Sequence, residues 1–108
     1  MAIRGYHAHI YFDPPELANA QALAAAAHEE LGCPVGHFHT APVGPHPRGS
    51  VQLSMRPEQF GRFAHWVNEA RGPLTIFAHG LSGDDLADHT RYVVWFGPSE
   101  PLDLSIFG

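Results

Sequence analysis

The 108-residue sequence predicts a single α+β domain in which one antiparallel sheet carries two helices on one face. Three observations support this fold class. Five short segments alternate apolar and polar residues as strands do, two longer segments repeat apolar residues at helical spacing, and the two kinds of segment are interleaved along the chain. No linker, internal repeat or low-complexity stretch divides the sequence, so residues 1–108 are expected to form one domain.

Alternation of apolar and polar residues indicates the strands. They cover residues 5–12, 35–43, 50–55, 74–79 and 90–96. In the first strand, His7, His9 and Tyr11 share one face, and the residues between them form an apolar face that would meet a core. The second strand places His37 and His39 on one face, and its proline indicates a position at the edge of the sheet.

Two helices are predicted between these strands, over residues 13–31 and 57–71. The first begins with a capping box, because Asp13 is followed by two prolines and then by Glu16. Apolar residues at helical spacing give each helix one face to bury. A glycine directly follows each helix and marks its end. The tail after Gly97 carries two prolines and is predicted to be irregular.

The order βαββαβ, with one further strand, predicts a ferredoxin-like sandwich. Its usual strand order is 4-1-3-2, and we expect the fifth strand beside the fourth. The helices would cover one face of the sheet. The other face would carry His7, His9, Gln52 and Ser54 at its centre, and such open faces often dimerise. We therefore expect a homodimer with the architecture of a dimeric α/β barrel.

Composition argues against several classes of partner. The formal net charge is −5, and the six basic residues are scattered arginines, so we expect no nucleic-acid partner. The sequence contains no apolar run long enough to span a membrane and shows no signal-peptide pattern at its N-terminus. The single cysteine, Cys33, cannot form an internal disulfide. A cytoplasmic protein with no membrane partner is the resulting expectation.

The unusual feature is the presence of nine histidines. His7 and His9 alternate on one face of the predicted central strand, with Cα atoms about 6 to 7 Å apart. Imidazole is a good ligand for zinc, copper, iron and nickel. The fourth strand is expected to run antiparallel beside the first, which would bring His79 close to both. We therefore expect a metal site of three histidines; the alternative is a group of surface histidines on an open sheet face.

A carboxylate usually completes a non-haem Fe(II) site that has two histidines. No Asp or Glu falls within a predicted strand, so two alternatives remain. Either histidines alone form the site, or the loop before His89 folds over it and donates Asp84, Asp85 or Asp88.

The second group of histidines lies farther along the predicted sheet. His37 and His39 would lie about 10 Å from the first strand, which is too far to share one metal but suits contacts with a substrate bound there. The alternative is a pair of solvated residues on an edge strand. His46 and Arg48 lie in a loop held by two prolines and a glycine, where they could contact an anionic group.

Several stretches of the sequence resemble the DOPA 4,5-dioxygenase family. They are YHAHIYF at residues 6–12, GHFHTAPVGPHP at residues 36–47, SGDDLADHT at residues 82–90 and WFG at residues 95–97. The second stretch is the most specific of them. The resemblance extends from about Tyr6 to Gly97 and therefore covers nearly the whole chain.

The resemblance implies metal-dependent extradiol cleavage of a catechol ring by O2, with DOPA or another substituted catechol as substrate. The implied cofactor is Fe(II), with zinc or another divalent metal as the alternative. In this assignment the metal ligands are His7, His9 and His79, the acid/base is His39, and the substrate contacts are His37, His46, Arg48 and His89. Two other functions stay open: a ferredoxin-like dimer that binds a metal or small ligand without catalysis, and a cofactor-free monooxygenase of the dimeric α/β-barrel type.

Overall fold

The computed structural model describes residues 2–108, which form an α+β sandwich with an open antiparallel sheet. Its strands are β1 (Tyr6–Phe12), β2 (Gly49–Met55), β3 (Thr75–Gly80) and β4 (Val93–Phe96), and its helices are α1 (Leu17–Leu31), α2 (Pro57–Ala70) and the single turn α3 (Asp85–Asp88). The strand order is β2-β1-β3-β4, and all neighbours are antiparallel. This arrangement confirms the α+β class and is compatible with the ferredoxin-like fold.

The core lies between the sheet and the two long helices. Ala8, Ile10 and Phe12 of β1 are buried, as the alternation predicted, and belong to one apolar cluster with Leu23 of α1 and Phe63 of α2. Full burial of a side chain such as Ile, Leu or Phe stabilises the folded state by about 1.5 to 3 kcal/mol. The other face of β1 is therefore free to carry polar side chains. Within residues 2–108, no helix is both long and apolar enough to cross a membrane.

The helix starts follow the predicted chemistry with one difference. The capping box of Asp13 and Glu16 is present, and the backbone N–H of Asp13 donates to Oε1 of Glu16 at 2.9 Å. The first turn, Pro14–Glu16, is a 3-10 turn, and the α-helix begins only at Leu17. At the other end, Gly32 has a φ of 73°, the left-handed conformation that ends a helix at little cost for glycine.

The predicted strand over residues 35–43 is not a regular strand. The segment instead follows the outer edge of β2 through two isolated bridges, Val35 with Leu53 and His39 with Ser50. The flanking prolines lack the N–H groups that a continuous ladder needs, which explains the interruption. The segment nevertheless occupies the expected edge position beside β2. Gly49 permits this approach, because a Cβ there would lie 2.8 Å from the carbonyl oxygen of Phe12 and 3.1 Å from that of His39.

The last third of the chain contains more structure than predicted. The strand expected over residues 90–96 begins only at Val93, because α3 and the turn after it occupy the preceding residues. The tail, expected to be irregular, contains a 3-10 turn at Leu104–Phe107. The backbone N–H of Asp103 donates to the carbonyl of Pro45 at 2.9 Å, which fastens the tail to the loop that carries His46.

Candidate metal centre and adjoining cavity

Three histidines from the two central strands meet on the open face of the sheet. The antiparallel register pairs His7 of β1 directly with His79 of β3, and His9 follows two residues later on the same face of β1. Nε2 of His9 lies 3.2 Å from Nε2 of His79. Each of the three side chains offers a nitrogen within 4.8 Å of the other two, so the cluster could hold a metal ion.

The spacing of these nitrogens fits a transition metal. Two imidazole nitrogens bound to one ion at about 2.1 Å lie about 3.0 to 3.4 Å apart when the angle between the bonds is about 90° to 109°. The 3.2 Å between His9 and His79 falls within this interval. His79 is also aligned by its other nitrogen, because Nδ1 donates to the carbonyl of Gly80 at 3.1 Å and Nε2 thereby keeps its lone pair on the side of His9.

The surroundings keep these imidazoles neutral, which is the form that binds a metal. Burial lowers the pKa of His79 to about 4, even though the hydrogen bond to the Gly80 carbonyl acts in the opposite direction. Burial and the neighbouring imidazoles, His46 foremost among them, hold the pKa of His9 well below its usual value. The pKa of His7 is lowered as well, mainly by burial and then by His89.

His46 and Tyr11 adjoin this cluster on the β2 side. The rings of His46 and His9 are 4.1 Å apart between centroids, and the hydroxyl of Tyr11 lies 2.7 Å from Nδ1 of His46. Tyr11 is fully buried, and burial raises its pKa, so the phenol keeps its proton. Burial likewise lowers the pKa of His46 to about 4.

His89 adjoins the cluster on the opposite side. Its ring lies 4.2 Å from that of His79 and 4.5 Å from that of Phe107 in the tail. Nδ1 of His89 donates to the carbonyl of Asp85 at 2.7 Å, which ties the imidazole to α3. The structure therefore brings His46 and His89 to the two sides of the three histidines.

A cavity of about 220 Å³ lies between the cluster and the 36–48 segment. Its polar lining consists mainly of imidazoles, from His9, His37, His39 and His46, together with Gln52. The rings of His37 and His39 are 4.8 Å apart. His39 is paired through its backbone with a residue of β2 and lies two strand spacings from β1, or about 10 Å. The expected separation from the metal-site strand is thus observed, whereas a catalytic role for His39 stays a prediction.

Arg48 makes its contacts with carboxylates of the chain itself. Its Nε and Nη2 donate to the two carboxylate oxygens of Glu100 at 3.0 and 2.8 Å, and its Nη1 lies 3.3 Å from Asp13 and 3.4 Å from Glu16. The hydrogen bond to Glu100 raises the pKa of the guanidinium further. The pair with Glu100 fastens the tail beside the cavity, and a substrate contact by Arg48 stays a prediction.

Two of the three loop carboxylates, those of Asp84 and Asp88, are hydrogen-bonded within their own loop. Asp88 is buried and accepts from the backbone N–H and the hydroxyl of Ser82. Asp84 caps α3 by accepting from the N–H of Ala87 at 3.1 Å. Among residues 2–108 the cluster with metal-ligand geometry contains histidines only, which agrees with the all-histidine alternative.

Sequence reasoning did not identify Tyr11, Phe77 and Trp95 as parts of the site. The ring of Phe77 lies 6.0 Å from that of His9 and 4.6 Å from that of Trp95, so the two aromatic residues form a wall beside the imidazoles. The position of Tyr11 on the same strand face as His9 was a usable signal. Phe77 offered the same signal, because it shares a strand face with His79, but apolar residues on strands are read first as core; Trp95 joins the site only through its pairing with Phe77.

An α+β domain whose open sheet face presents three converging histidines defines a class of candidate metal proteins. Sequence comparison then identifies the family. The profile described as the Dopa 4,5-dioxygenase family matches residues 6–106, and the chain therefore belongs to this family.

Individual relatives agree with this assignment. The chain is 32% identical to "DOPA 4,5-dioxygenase" of Amanita muscaria, and this match covers 95% of the chain and 49% of that protein. It is 39% identical to an "Uncharacterized 21.2 kDa protein" of Botryotinia fuckeliana, and this match covers 64% of the chain and 42% of that protein. It thus spans about half the length of these curated relatives or less. A crystal structure from Nostoc punctiforme, named a "putative dioxygenase", superposes with a TM-score of 0.79 at 36% identity and covers 93% of this chain and 87% of that one.

Proposed function

We propose that this domain is a metal-dependent extradiol dioxygenase that opens the ring of a catechol, DOPA-like or otherwise substituted, with O2. The observation that carries the proposal is the convergence of His7, His9 and His79 on one point of the open sheet face. Membership of the Dopa 4,5-dioxygenase family supports an enzyme of the oxygenase type. The three imidazoles are the proposed ligands of Fe(II).

The overall reaction needs no external reductant. A carbon–carbon bond of the ring beside one catechol oxygen breaks, both atoms of O2 enter the ring-opened product, and the catechol supplies the electrons. When bound, Fe(II) would provide the redox centre that couples the catechol to O2. The burial of His9 and His79 supports this role, because buried, neutral imidazoles can bind the ion and exclude bulk water from it.

His39 is the proposed acid/base. It lines the same cavity as His9 but lies about 10 Å from β1 along the sheet, so it can reach a bound substrate without being a ligand. Histidine is the residue that most often serves as a general acid or base, and its ring could remove the proton of a catechol hydroxyl and return a proton later.

The remaining polar groups are proposed substrate contacts. They are His37 and His46, which line the cavity, His89 on the side of α3, and Arg48, which follows His46 by two residues. The aromatic wall of Phe77 and Trp95 supplies an apolar surface against which a catechol ring could pack.

Oxygen consumption under defined metal conditions tests the proposal. Protein purified without a histidine tag is loaded anaerobically with Fe(II), given a 4-substituted catechol, and followed with an oxygen electrode and by absorbance. Iron-dependent uptake with a yellow product is expected. Tight binding of zinc or iron without uptake would favour a non-catalytic binding protein, and uptake without any metal would favour a cofactor-free monooxygenase.

A matched pair of variants connects the activity to the site. His79→Ala should abolish iron-dependent uptake, whereas His65→Ala, which removes an exposed imidazole from α2, should retain it. Equal activity in the two variants would separate the reaction from the three histidines.

The open sheet face also motivates the proposal of a homodimer, because helices cover only the other face. Sedimentation at micromolar concentration measures this directly, and a monomer there would contradict it.

A further inference from the structure

We infer that Tyr11 is a positioning residue, which holds His46 in the tautomer that presents a hydrogen-bond donor to the cavity. The starting observation is the 2.7 Å contact between the hydroxyl of Tyr11 and Nδ1 of His46. Tyr11 has no exposed surface, and His46 is 8% exposed, so water competes little for this contact. The inference rests on the proposed function only for its kinetic consequence.

The direction of the hydrogen bond follows from the two groups. A phenol, whose ordinary pKa is about 10, carries its proton at neutral pH, and a phenolic O–H is a better donor than the N–H of a neutral imidazole. Nδ1 of His46 is then the acceptor. A neutral imidazole carries one hydrogen, which must therefore lie on Nε2.

The position of His46 gives this tautomer a role. Its ring packs on that of His9 at 4.1 Å and lines the cavity together with His9 and His39. Nδ1 is occupied by Tyr11, which does not line the cavity, so Nε2 is the ring nitrogen of His46 left for a ligand there. An Nε2–H can donate to an anionic oxygen of a bound catechol, but it cannot accept the proton of a catechol hydroxyl. The two histidines would thereby have different roles: His46 donates a hydrogen bond, and His39 remains the group able to take up a proton.

The tautomer can be measured without turnover. Long-range ¹H–¹⁵N spectra of the full chain loaded with Zn(II) distinguish protonated from unprotonated ring nitrogens. His46 should show a protonated Nε2 in the wild type and lose this preference in Tyr11→Phe, which keeps the ring and removes only the hydroxyl. Tyr6→Phe, on the same strand with its ring stacked on Phe60, is the matched control and should leave His46 unchanged.

Kinetics supply a second readout if the domain turns over a catechol. Tyr11→Phe should lower kcat about 10-fold with KM changed less than about twofold, since the donor would act on charge that develops during the reaction. In a His46→Ala background, the same change should have no further effect, because Tyr11 is proposed to act only through His46.

Different results would contradict the inference about Tyr11 and the proposed function. A protonated Nδ1 on His46 in the wild type, or an unchanged tautomer in Tyr11→Phe, would overturn the inference. An equal loss from Tyr11→Phe with and without His46 would also overturn it, because Tyr11 would then act independently. Absence of turnover in every protein would refute the proposed function, and the spectra would still decide the tautomer.

Discussion

The two groups of histidines in this domain are held in different ways. His7, His9 and His79 lie on two central strands, where each residue has a fixed neighbour in a continuous ladder. His37 and His39 lie in a segment that touches β2 through only two isolated bridges. The first group is largely buried, whereas His37 is exposed and His39 half-buried.

This difference matches the demands of the two proposed tasks. A metal ligand must keep its nitrogen within a few tenths of an ångström, and regular strands provide that precision. Substrate contacts can lie on loops, which tolerate adjustment as a ligand enters. The comparison therefore predicts that changes on the strands abolish the site, whereas changes on the 36–48 segment modulate it.

The largest expected effect follows from replacing a strand histidine. His9→Ala or His7→Ala should abolish stoichiometric metal binding without unfolding the domain, because both side chains lie on the face opposite the apolar core. Metal analysis after dialysis and circular dichroism measure the two outcomes. Near-normal metal content in either variant would remove that residue from the ligand set.

A smaller loss is expected from the segment beside β2. His39→Ala should keep the metal and lower the rate about 10²- to 10⁴-fold, the range for removal of a general acid or base. Metal content and kcat are to be measured on the same preparation. Metal loss equal to that of His9→Ala would make His39 a ligand and erase the distinction between the two groups.

Lowering the pH should destabilise the metal-free protein through its buried histidines. The folded pKa values of His9, His46 and His79 are lowered by burial, so the unfolded chain binds more protons than the folded one between about pH 6.5 and pH 4. The free energy of unfolding should thus fall from pH 7 to pH 5 by up to about 2 kcal/mol for each of these histidines. Urea unfolding at both pH values measures it, and a flat profile would contradict neutral, buried imidazoles.

His37→Gln provides the control for that experiment. This side chain is exposed, so its replacement should change the free energy of unfolding little. His79→Gln should reduce the pH dependence of unfolding, because it removes one of the buried titrating groups.

The smallest effect is expected where the tail meets the cavity loop. Glu100→Gln weakens the two-pronged contact with Arg48 and should cost less than about 1 kcal/mol of unfolding free energy, since both side chains are partly solvated. The rate at which a protease cleaves the tail should increase measurably, even though the free energy of unfolding changes little. Unaltered cleavage would show that the backbone contact from Asp103 to Pro45 suffices to hold the tail.

The sequence predicted the parts of the fold that depend on periodicity. Alternation in β1 identified both the core face and the histidine face, and antiparallel pairing then predicted the proximity of His79 to His7, which the register confirms. The segment at 35–43 differs from the predicted strand, because its residues alternate as in a strand while its prolines prevent a continuous ladder. The ion pair between Arg48 and Glu100 could not be predicted either, because no local sequence pattern indicates that the tail packs beside the loop of Arg48.

The contact between His9 and His79 also concerns how the chain folds, because these residues are 70 positions apart in the sequence. An ion bound by both would act as a removable cross-link that closes most of the chain into one loop. Unlike a disulfide, which this domain with its single cysteine cannot form internally, such a link would act on the folded state, because the unfolded chain does not bring the imidazoles together. The metal would therefore stabilise the pairing of β1 with β3, and its removal would lower the free energy of unfolding by the free energy with which the folded chain binds it.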